Sequence, residues 1–430
     1  MKNKFIKINL LIIISIVLML FSPNASIKAE DDYVLEEVVV LSRHNIRAPL
    51  STKGSVLDSA TPHDWYEWSS GASELSLRGG ILETTMGQYF RKWLVNEGLL
   101  TENYHPTKDE VRFYANGKQR TIATAQYFSS GFLPVANSEI EIKTDYDTMD
   151  KVFSPNLTFV SDKYVEDAIK QMKQLVPDLS EEYSLLMEVL DFKESDAYKN
   201  KEIPEFTNND NEFSLELGKE PAVKGSLKTA TSLADALVLQ YYEDSNDGSA
   251  SFNHVLTNKD WLAISRIKDV YGDVLFTTPL ISVNVAHPLL QEINKELNNS
   301  KRLFSFLCGH DSNLGSVLAA LDVKDYDLPE AIEKKTPIGS KLVFEKWQKG
   351  NEEFVKVEMI YNSVDQLRNI SILDLNNPPI SYILEFNGIE ANDEGMYKKD
   401  DFMNHLESAI NKYDQLLEAY EVRIPKTGIE

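Results

Sequence analysis

The sequence predicts an α/β fold with a mainly helical segment inserted into it, on three observations. Apolar runs at Val38–Leu41 and Leu303–Cys308 end abruptly in polar turns, as buried strands of an α/β sheet do. Apolar residues at helical spacing follow both strands along the chain. Between about residues 148 and 262, helical patterns succeed one another without a convincing strand.

The N-terminus has the pattern of a secretory signal peptide. Lys2, Lys4 and Lys7 precede an uncharged apolar run from Leu10 to Phe21, and small residues follow. This order of basic, apolar and small residues is typical of a cleaved leader, and the run is too short to cross a bilayer as a helix. We therefore expect removal of residues 1–29 and a periplasmic or secreted protein that is not attached to a membrane, with a membrane anchor as the less favoured alternative.

The net charge excludes several classes of partner. The formal net charge is −23, and loss of the four lysines in residues 1–29 lowers it to −27. Nucleic acid and anionic membrane surfaces repel so acidic a protein, so we predict neither as a partner, and nothing in the sequence implies a protein partner. An anionic small molecule would have to be held by local positive charge.

Cysteine and histidine usage argues against disulfides and metal sites. Cys308 is the only cysteine, so the chain cannot form an internal disulfide, and we expect this residue to pack as a small hydrophobe. The seven histidines are scattered, without a His-Glu-x-x-His motif or a Cys/His cluster. We predict no metal site and no cofactor.

A basic turn follows the first predicted strand. Its sequence is Arg43-His44-Asn45-Ile46-Arg47-Ala48-Pro49, and ligands of α/β sheets bind where strands end. Arginine recognises phosphate through a planar fork of donors, so His44 could attack a phosphorus atom that Arg43 and Arg47 hold. The alternative is a basic loop whose two arginines are solvated.

The chain between this turn and the insertion continues the α/β pattern. Leu77–Asn96 has the apolar spacing of an amphipathic helix, Val111–Ala115 resembles a second strand, and Glu139–Lys143 alternates as a third strand does. Arg120 lies where the second strand gives way to a helix, and this stretch alone favours an exposed arginine there. In the insertion, Tyr164–Val176, Glu181–Phe192 and Ser226–Tyr242 have helical patterns, whereas Asp244–Ser251 is predicted to be a polar loop.

A second polar turn follows Leu303–Cys308. His310 and Asp311 stand there, before apolar residues at the spacing of one helix face. Asp311 is either an acid directed into the same crevice as His44 or, like Ser312, a helix N-cap. Three further strands, at Lys341–Glu345, Val355–Met359 and Ile380–Leu384, and a closing helix over residues 402–417 complete the pattern.

About 400 mature residues exceed one ordinary domain, so we predict two domains after the signal peptide. The α/β domain is discontinuous and comprises residues 30–147 and 263–430. The inserted helical domain comprises residues 148–262.

These motifs together resemble the histidine acid phosphatases, the branch of the histidine phosphatase superfamily that includes phytases. The resemblance rests on Arg43-His44-x-x-Arg47-x-Pro49 and Gly309-His310-Asp311, and it extends over nearly the whole mature chain. Asn45, where phytases have glycine, makes the bacterial glucose-1-phosphatases the most similar group. Further similar segments are Gln119-Arg120-Thr121, Thr148-Met149-Asp150, Leu239-Gln240-Tyr241-Tyr242 and Thr336-Pro337-Ile338-Gly339. Family members of this type are usually braced by several disulfides, and this chain departs from them in having none.

The resemblance implies a fold and a set of roles. It implies a mostly parallel sheet with helices on both faces and a smaller helical domain over the active site. His44 would form a phosphohistidine, and Asp311 would protonate the leaving oxygen and then assist a water. Arg43, Arg47, Arg120 and His310 would hold the phosphoryl oxygens. Glu220, in the context Lys219-Glu220-Pro221, matches a glutamate that reaches over the pocket in glucose-1-phosphatases, although a surface acid is the alternative.

The implied function is that of an exported acid phosphatase that hydrolyses a sugar phosphate monoester such as glucose-1-phosphate. A phytase or a phosphatase of broad specificity is the first alternative. A non-catalytic binder of sugar phosphates is a weaker alternative, because His44 and Asp311 are both present. An intracellular phosphoryl-transfer mutase shares the Arg-His chemistry, but the signal peptide argues against it.

Overall fold

The computed structural model describes residues 33–50 and 55–422. The predicted signal peptide, residues 1–29, lies outside the described residues. The main sheet has eight strands in the order β10-β8-β7-β1-β6-β2-β3, with β9 paired to β8. Its strands are β1 (Val34–Arg43), β2 (Val111–Ala115), β3 (Ile140–Glu141), β6 (Phe304–Gly309), β7 (Lys341–Lys349), β8 (Glu352–Tyr361), β9 (Ile380–Ile383) and β10 (Met396–Lys398).

Thirteen α-helices and a second, two-stranded sheet surround the main sheet in the described part of the chain. The small sheet pairs β4 (Glu212–Ser214) with β5 (Ala222–Lys224). A 3-10 turn lies at Phe192–Glu194 and a π-helical turn at Asp273–Thr277. The helices are α1 (Val56–Ser59), α2 (Leu77–Asn96), α3 (Gln119–Phe132), α4 (Asp162–Leu175), α5 (Ser180–Val189), α6 (Asp196–Lys199), α7 (Ser226–Glu243), α8 (Asp247–Ala250), α9 (Asn258–Gly272), α10 (Pro279–Leu297), α11 (Asp311–Ala320), α12 (Val364–Asn369) and α13 (Lys399–Ala419).

Strand β1 is at the centre of the sheet, which explains its continuous apolar run. Val38, Val39, Val40 and Leu41 are completely buried, because helices cover both faces of the sheet there. Strand β1 pairs in parallel with β6 on one side and antiparallel with β7 on the other. The strands β1, β6, β2 and β3 are mutually parallel, so their carboxyl ends meet at one edge of the sheet.

Helices pack on both faces of the sheet, and the predicted α/β class is confirmed. Helices α2 and α3 bury their apolar faces against one side, where Phe128 stacks on Phe306 of β6 with ring centroids 4.2 Å apart. Helices α10, α11 and α13 cover the other side. The α2 helix has the bounds that the sequence predicted, Leu77–Asn96.

The segment between β3 and β6 contributes no strand to the main sheet within the described residues. Most of its buried apolar residues before Ala286 form a separate core, whereas the later part of helix α10 packs on the sheet. The sequence predicted no strand there at all, and this expectation was wrong, because β4 and β5 form a hairpin. Three-residue strands are too short to show an alternating pattern. The polar loop predicted at Asp244–Ser251 contains a single helical turn, α8, and the long helices α9 and α10 were not anticipated.

Within the described ranges, no helix has the length and apolar character that crossing a membrane requires.

Candidate active site

A cavity of about 380 Å³ opens where three parallel strands end. Strand β1 delivers the turn that begins at Arg43, β6 leads into His310, and β2 leads through Asn116 into helix α3. Because neighbouring parallel strands end at the same edge, these turns converge although they lie far apart in sequence. All seven residues that the sequence singled out line this cavity: Arg43, His44, Arg47, Arg120, Glu220, His310 and Asp311.

The imidazole of His44 is held in one tautomer. Its Nδ1 lies 2.9 Å from the carbonyl oxygen of Asn45. A carbonyl oxygen only accepts hydrogen bonds, so Nδ1 carries the proton and Nε2 keeps its lone pair. Burial, and then the positive charge of Arg120 and Arg47, hold the pKa of His44 well below its usual range. This shift favours the neutral form of the ring, whose Nε2 lone pair is the one that a nucleophile needs.

The turn that carries His44 rests on a buried ion pair. Asn45 donates from Nδ2 to Glu83 Oε2 over 2.8 Å, and Glu83 pairs with Lys341 at 2.8 Å. Gly339 packs against the same amide with φ +69°, and a Cβ there would lie 2.6 Å from Asn45 Nδ2. The backbone N–H of Gly339 also donates to the His44 carbonyl at 3.1 Å. The turn that carries His44 is thus held by closely packed neighbours on this side.

Six side chains form a continuous line of alternating charges around the cavity. Arg43 pairs with Asp311 at 3.2 Å and with Glu333 at 2.7 Å. Lys268 pairs with Glu333 at 3.0 Å and with Asp235 at 2.9 Å. Arg47 is the last residue of the line and pairs with Asp235 at 3.0 Å. Buried charges require such partners, so the line fixes the positions of both arginines of the first turn.

Arg120 is outside this line. No carboxylate in residues 33–50 or 55–422 forms an ion pair with it. Burial, and then the charge of Arg47, lower the pKa of Arg120 to about 10, which leaves it protonated at acidic and neutral pH. The buried Nε atoms of Arg43, Arg47 and Arg120 all lack a hydrogen-bond partner. All three arginines line the cavity, so an oxyanion there would lie beside three positive charges.

His310 is oriented by Asn116, a residue that the sequence did not single out. The Oδ1 atom of Asn116 accepts from the backbone N–H groups of Gly117 and Asp150, each at 2.8 Å. Its Nδ2 therefore faces His310 Nε2, 2.6 Å away. An amide NH₂ only donates, so Nε2 accepts and Nδ1 carries the proton. His310 can thus donate a hydrogen bond to an anion, beside Arg120 Nη2 at 3.4 Å.

Asp311 is the first residue of α11 and is not its N-cap. His310 occupies the N-cap position, and its backbone N–H donates to Asn313 Oδ1 at 2.9 Å, so the N-cap interpretation of Asp311 and Ser312 was wrong. The Asp311 side chain is 50% exposed, because its carboxylate faces the cavity. Burial in the site would raise the pKa of Asp311, but Arg43 and Lys268 outweigh it and lower the pKa. The start of α11 also favours an anion here.

Glu220 is an exposed side chain at the rim of the cavity, near Lys228. The loop before it is pinned, since Lys219 O accepts from Leu157 N at 3.0 Å and Gly218 N donates to Leu157 O at 2.8 Å. The surrounding protein and the charge of Asp311 raise the pKa of Glu220. The sequence thus located a carboxylate that can contact a ligand larger than phosphate.

Three charged members of the site were missed: Asp235, Lys268 and Glu333. Asp235 lies in an apolar context, Leu233-Ala234-Asp235-Ala236-Leu237 in helix α7, whereas charged residues adjoin Lys268 and Glu333 in the sequence. A lone charge inside a buried helix face needs a partner or a function, and this signal could have identified Asp235.

Comparisons with known proteins agree with the motifs. The model of the family "Histidine phosphatase superfamily (branch 2)" matches residues 34–362. A glucose-1-phosphatase of Salmonella typhimurium is 38% identical over 88% of this chain and 93% of its own. A glucose-1-phosphatase of Providencia rettgeri is 37% identical over 91% and 97%. The structure of Hafnia alvei phytase superposes with a TM-score of 0.81 at 25% identity, over 91% of this chain and 99% of that one.

Proposed function

Because the chain belongs to branch 2 of the histidine phosphatase superfamily, we propose that it hydrolyses a sugar phosphate monoester such as glucose-1-phosphate through a phosphohistidine on His44. The observation that carries the proposal is the unprotonated Nε2 of His44 beside three arginines whose buried Nε atoms lack acceptors. The class of reaction follows from the family, whose members are phosphoric monoester hydrolases.

In the first step, His44 Nε2 attacks phosphorus and the bond from phosphorus to the leaving oxygen breaks. Arg43, Arg47, Arg120 and the Nδ1–H of His310 stabilise the charge on the three phosphoryl oxygens. Asp311 transfers a proton to the leaving oxygen. In the second step, the Asp311 carboxylate takes a proton from a water molecule that attacks phosphorus, and the phosphorus–nitrogen bond breaks.

The sugar preference rests on Glu220. A carboxylate at the cavity rim can accept hydrogen bonds from sugar hydroxyl groups, and such charged hydrogen bonds are worth roughly 1.5–3 kcal/mol. The same charge repels further phosphate groups, which disfavours phytate. The relatives named glucose-1-phosphatase support this preference.

Phytate hydrolysis is the second candidate, since the superposition on Hafnia alvei phytase covers almost all of that chain. Phosphate release from glucose-1-phosphate, phytate and p-nitrophenyl phosphate, compared at equal pH, separates the two candidates. The proposal expects glucose-1-phosphate to have the larger kcat/KM.

His44→Ala tests the nucleophile. The variant should fold, still bind inorganic phosphate and lose turnover, because only Nε2 of His44 can form the covalent intermediate. Radiolabel from a labelled substrate should appear on wild type after an acid-free quench and be absent from the variant. Label retained by His44→Ala would refute the assignment.

Glu220→Gln tests the substrate preference. The substitution should raise the ratio of phytate to glucose-1-phosphate activity and leave p-nitrophenyl phosphate hydrolysis little changed, and salt should shrink the gain because it screens the repulsion. A matched control is Glu216→Gln in the same exposed loop, since Glu216 pairs with Lys219 and does not line the cavity. If the ratio of phytate to glucose-1-phosphate activity does not change, residues other than Glu220 determine the substrate preference.

The leader pattern of residues 1–29 supports export as a further part of the proposal. Expression in a bacterial host, fractionation of the cells and sequencing of the mature N-terminus test it. Full-length protein retained in the cytoplasm would contradict export.

A further inference from the structure

A second cluster of chemically competent side chains lies outside the active-site cavity. It consists of His63, Asp191 and His254, whose ligand atoms all lie within 4.8 Å of one another. His63 follows helix α1, Asp191 precedes the 3-10 turn at Phe192–Glu194, and His254 lies between α8 and α9. None of the three lines the active-site cavity.

The distances fit a cation with nitrogen and oxygen ligands. Asp191 Oδ2 lies 2.7 Å from His63 Nε2 and 3.4 Å from His254 Nε2. Ligand bonds of about 2.0–2.2 Å place the donor atoms of a tetrahedral zinc site roughly 3.3 Å apart. The Asp191–His254 pair already has this spacing, and the Asp191–His63 pair would need to open by about 0.6 Å. The carboxylate oxygen lies close to both Nε2 atoms, and the three ligand atoms all lie within 4.8 Å of one another.

The neighbouring residues hold the histidines in place. The ring of His63 stacks on Phe252 with centroids 4.9 Å apart and planes at 14°, and Trp65 packs edge-on against Phe252 at 5.1 Å. Gln240 joins the loops that carry the two histidines. Its Oε1 accepts from Tyr66 N at 2.8 Å, and its Nε2 donates to Ala250 O at 3.1 Å. A site whose ligands are held before binding loses less entropy on binding.

The side chains of His63, His254 and Asp191 are 30%, 26% and 43% exposed. They are accessible to an ion from solvent, and a water can complete the coordination. Imidazole and carboxylate ligands together suit zinc, copper and nickel rather than the hard cations magnesium and calcium.

We propose that His63, Asp191 and His254 form a binding site for a divalent transition cation of the Zn²⁺ type, which links two loops of the helical segment to the loop that follows helix α1. The sequence predicted no metal site because these residues are 128 and 63 positions apart, and only the fold brings them together. A chain with a single cysteine cannot tie such distant loops with a disulfide. A metal that binds only the folded state stabilises it by mass action.

The test uses the full-length mature enzyme, freed of metal with a chelator and then titrated with Zn²⁺. Equilibrium dialysis with metal analysis should give one tightly bound zinc per chain, and the melting temperature should rise with zinc concentration. Substitution of Co²⁺ should give the visible absorption of a low-symmetry nitrogen and oxygen site.

Three variants and two controls complete the design. His63→Gln, His254→Gln and Asp191→Asn should each weaken zinc binding at least tenfold and remove the zinc-dependent rise in melting temperature. His105→Gln, a histidine elsewhere on the chain, and His44→Ala should keep both. After removal of metal, the three cluster variants should hydrolyse p-nitrophenyl phosphate at the wild-type rate, which shows that they fold.

Two outcomes would overturn the proposal. One is zinc binding that survives all three cluster substitutions, which would place the metal elsewhere. The other is no zinc-dependent stabilisation of the wild type at any pH between 6 and 8, which would make the cluster a hydrogen-bonded charge pair only. Neither outcome affects the assignment of His44.

Discussion

Glu333 provides the sharpest test of the charge line around the active site. It is 2% exposed, and it accepts from Arg43 at 2.7 Å, Lys268 at 3.0 Å and Ile338 N at 3.0 Å. Glu333→Gln keeps the shape of the side chain and removes its negative charge, so Arg43 and Lys268 each lose one carboxylate partner. Removing one partner from a buried ion pair costs about 3–5 kcal/mol.

The same substitution should tighten phosphate binding. A carboxylate and a phosphoryl group on opposite sides of one guanidinium are about 6 Å apart, and at an effective dielectric near 20 their repulsion is about 3 kcal/mol per unit charge. Loss of the Glu333 charge should therefore lower the Kd for inorganic phosphate by roughly 10- to 100-fold. Since phosphate is also the product, kcat should fall as its release slows.

The assay is thermal unfolding with and without phosphate. Without phosphate, the melting temperature of the variant should lie about 6–10 °C below that of wild type. Each kcal/mol of lost stability shifts the melting temperature of so long a chain by only about 2 °C. Phosphate should raise its melting temperature by more than it raises that of wild type.

Glu296→Gln is the matched control for this experiment. Glu296 is 1% exposed and pairs with Arg112 at 2.6 Å and Arg302 at 2.8 Å, away from the cavity. This variant should lose comparable stability and respond to phosphate as wild type does. An equal phosphate response in all three proteins would refute the coupling between Glu333 and the anion site.

Two further predictions concern Asp311, the proposed acid, and the residues that support His44, the proposed nucleophile. Because Asp311 must be protonated to donate and its pKa is lowered, activity on glucose-1-phosphate should fall as pH rises toward neutrality. Asp311→Asn should lower kcat on glucose-1-phosphate by about 10²–10⁴-fold and kcat on p-nitrophenyl phosphate by less. Equal losses on both substrates would contradict the role of Asp311 as the acid. Since His44 has a pKa well below its usual range, phosphohistidine should still form at the acidic end of that profile. Gly339→Ala should destabilise the protein by about 1–2 kcal/mol for its left-handed backbone plus the displacement of Asn45. Gly350→Ala is the control, because Gly350 has φ +57° and nothing lies within 4 Å of the new Cβ. In urea unfolding it should lose only the stability that the left-handed backbone costs. Equal losses of stability in the two variants would show that Asn45 moves aside without cost.

The elements that the sequence predicted are those with a local signature. Leu77–Asn96 and Val111–Ala115 were predicted with the correct bounds, because one has a helical apolar stripe and the other is an apolar segment that ends at Asn116-Gly117. The turns after β1 and β6 could be located because polar residues follow a buried run. The hairpin of β4 and β5 has no such signature, since three residues cannot alternate perceptibly.

The rest of the site depends on contacts between distant parts of the chain. The sequence alone favoured an exposed Arg120, and the partial burial of this side chain follows from its position between Arg47 and His310. Glu333 acquires its role from Arg43, 290 positions away. Asn116 orients His310 only because Gly117 and Asp150 fix its amide. Local propensity carries no information on such pairings.

The position of β1 determines when the molecule can fold. Val38 pairs with Phe304 on one side and Glu345 on the other, so strand β1, which leads into the His44 turn, stays without either neighbour until most of the chain has been made. At about 5–20 residues per second, a ribosome needs on the order of 10–50 s to extend the chain from the first strand to its partner. For that time an apolar segment with unpaired backbone groups is exposed to other chains. Truncated products that end before β6 would keep the turn at Arg43–Pro49 without the sheet edge that shapes it. Their fate would depend on chaperones rather than on the stability of the finished protein.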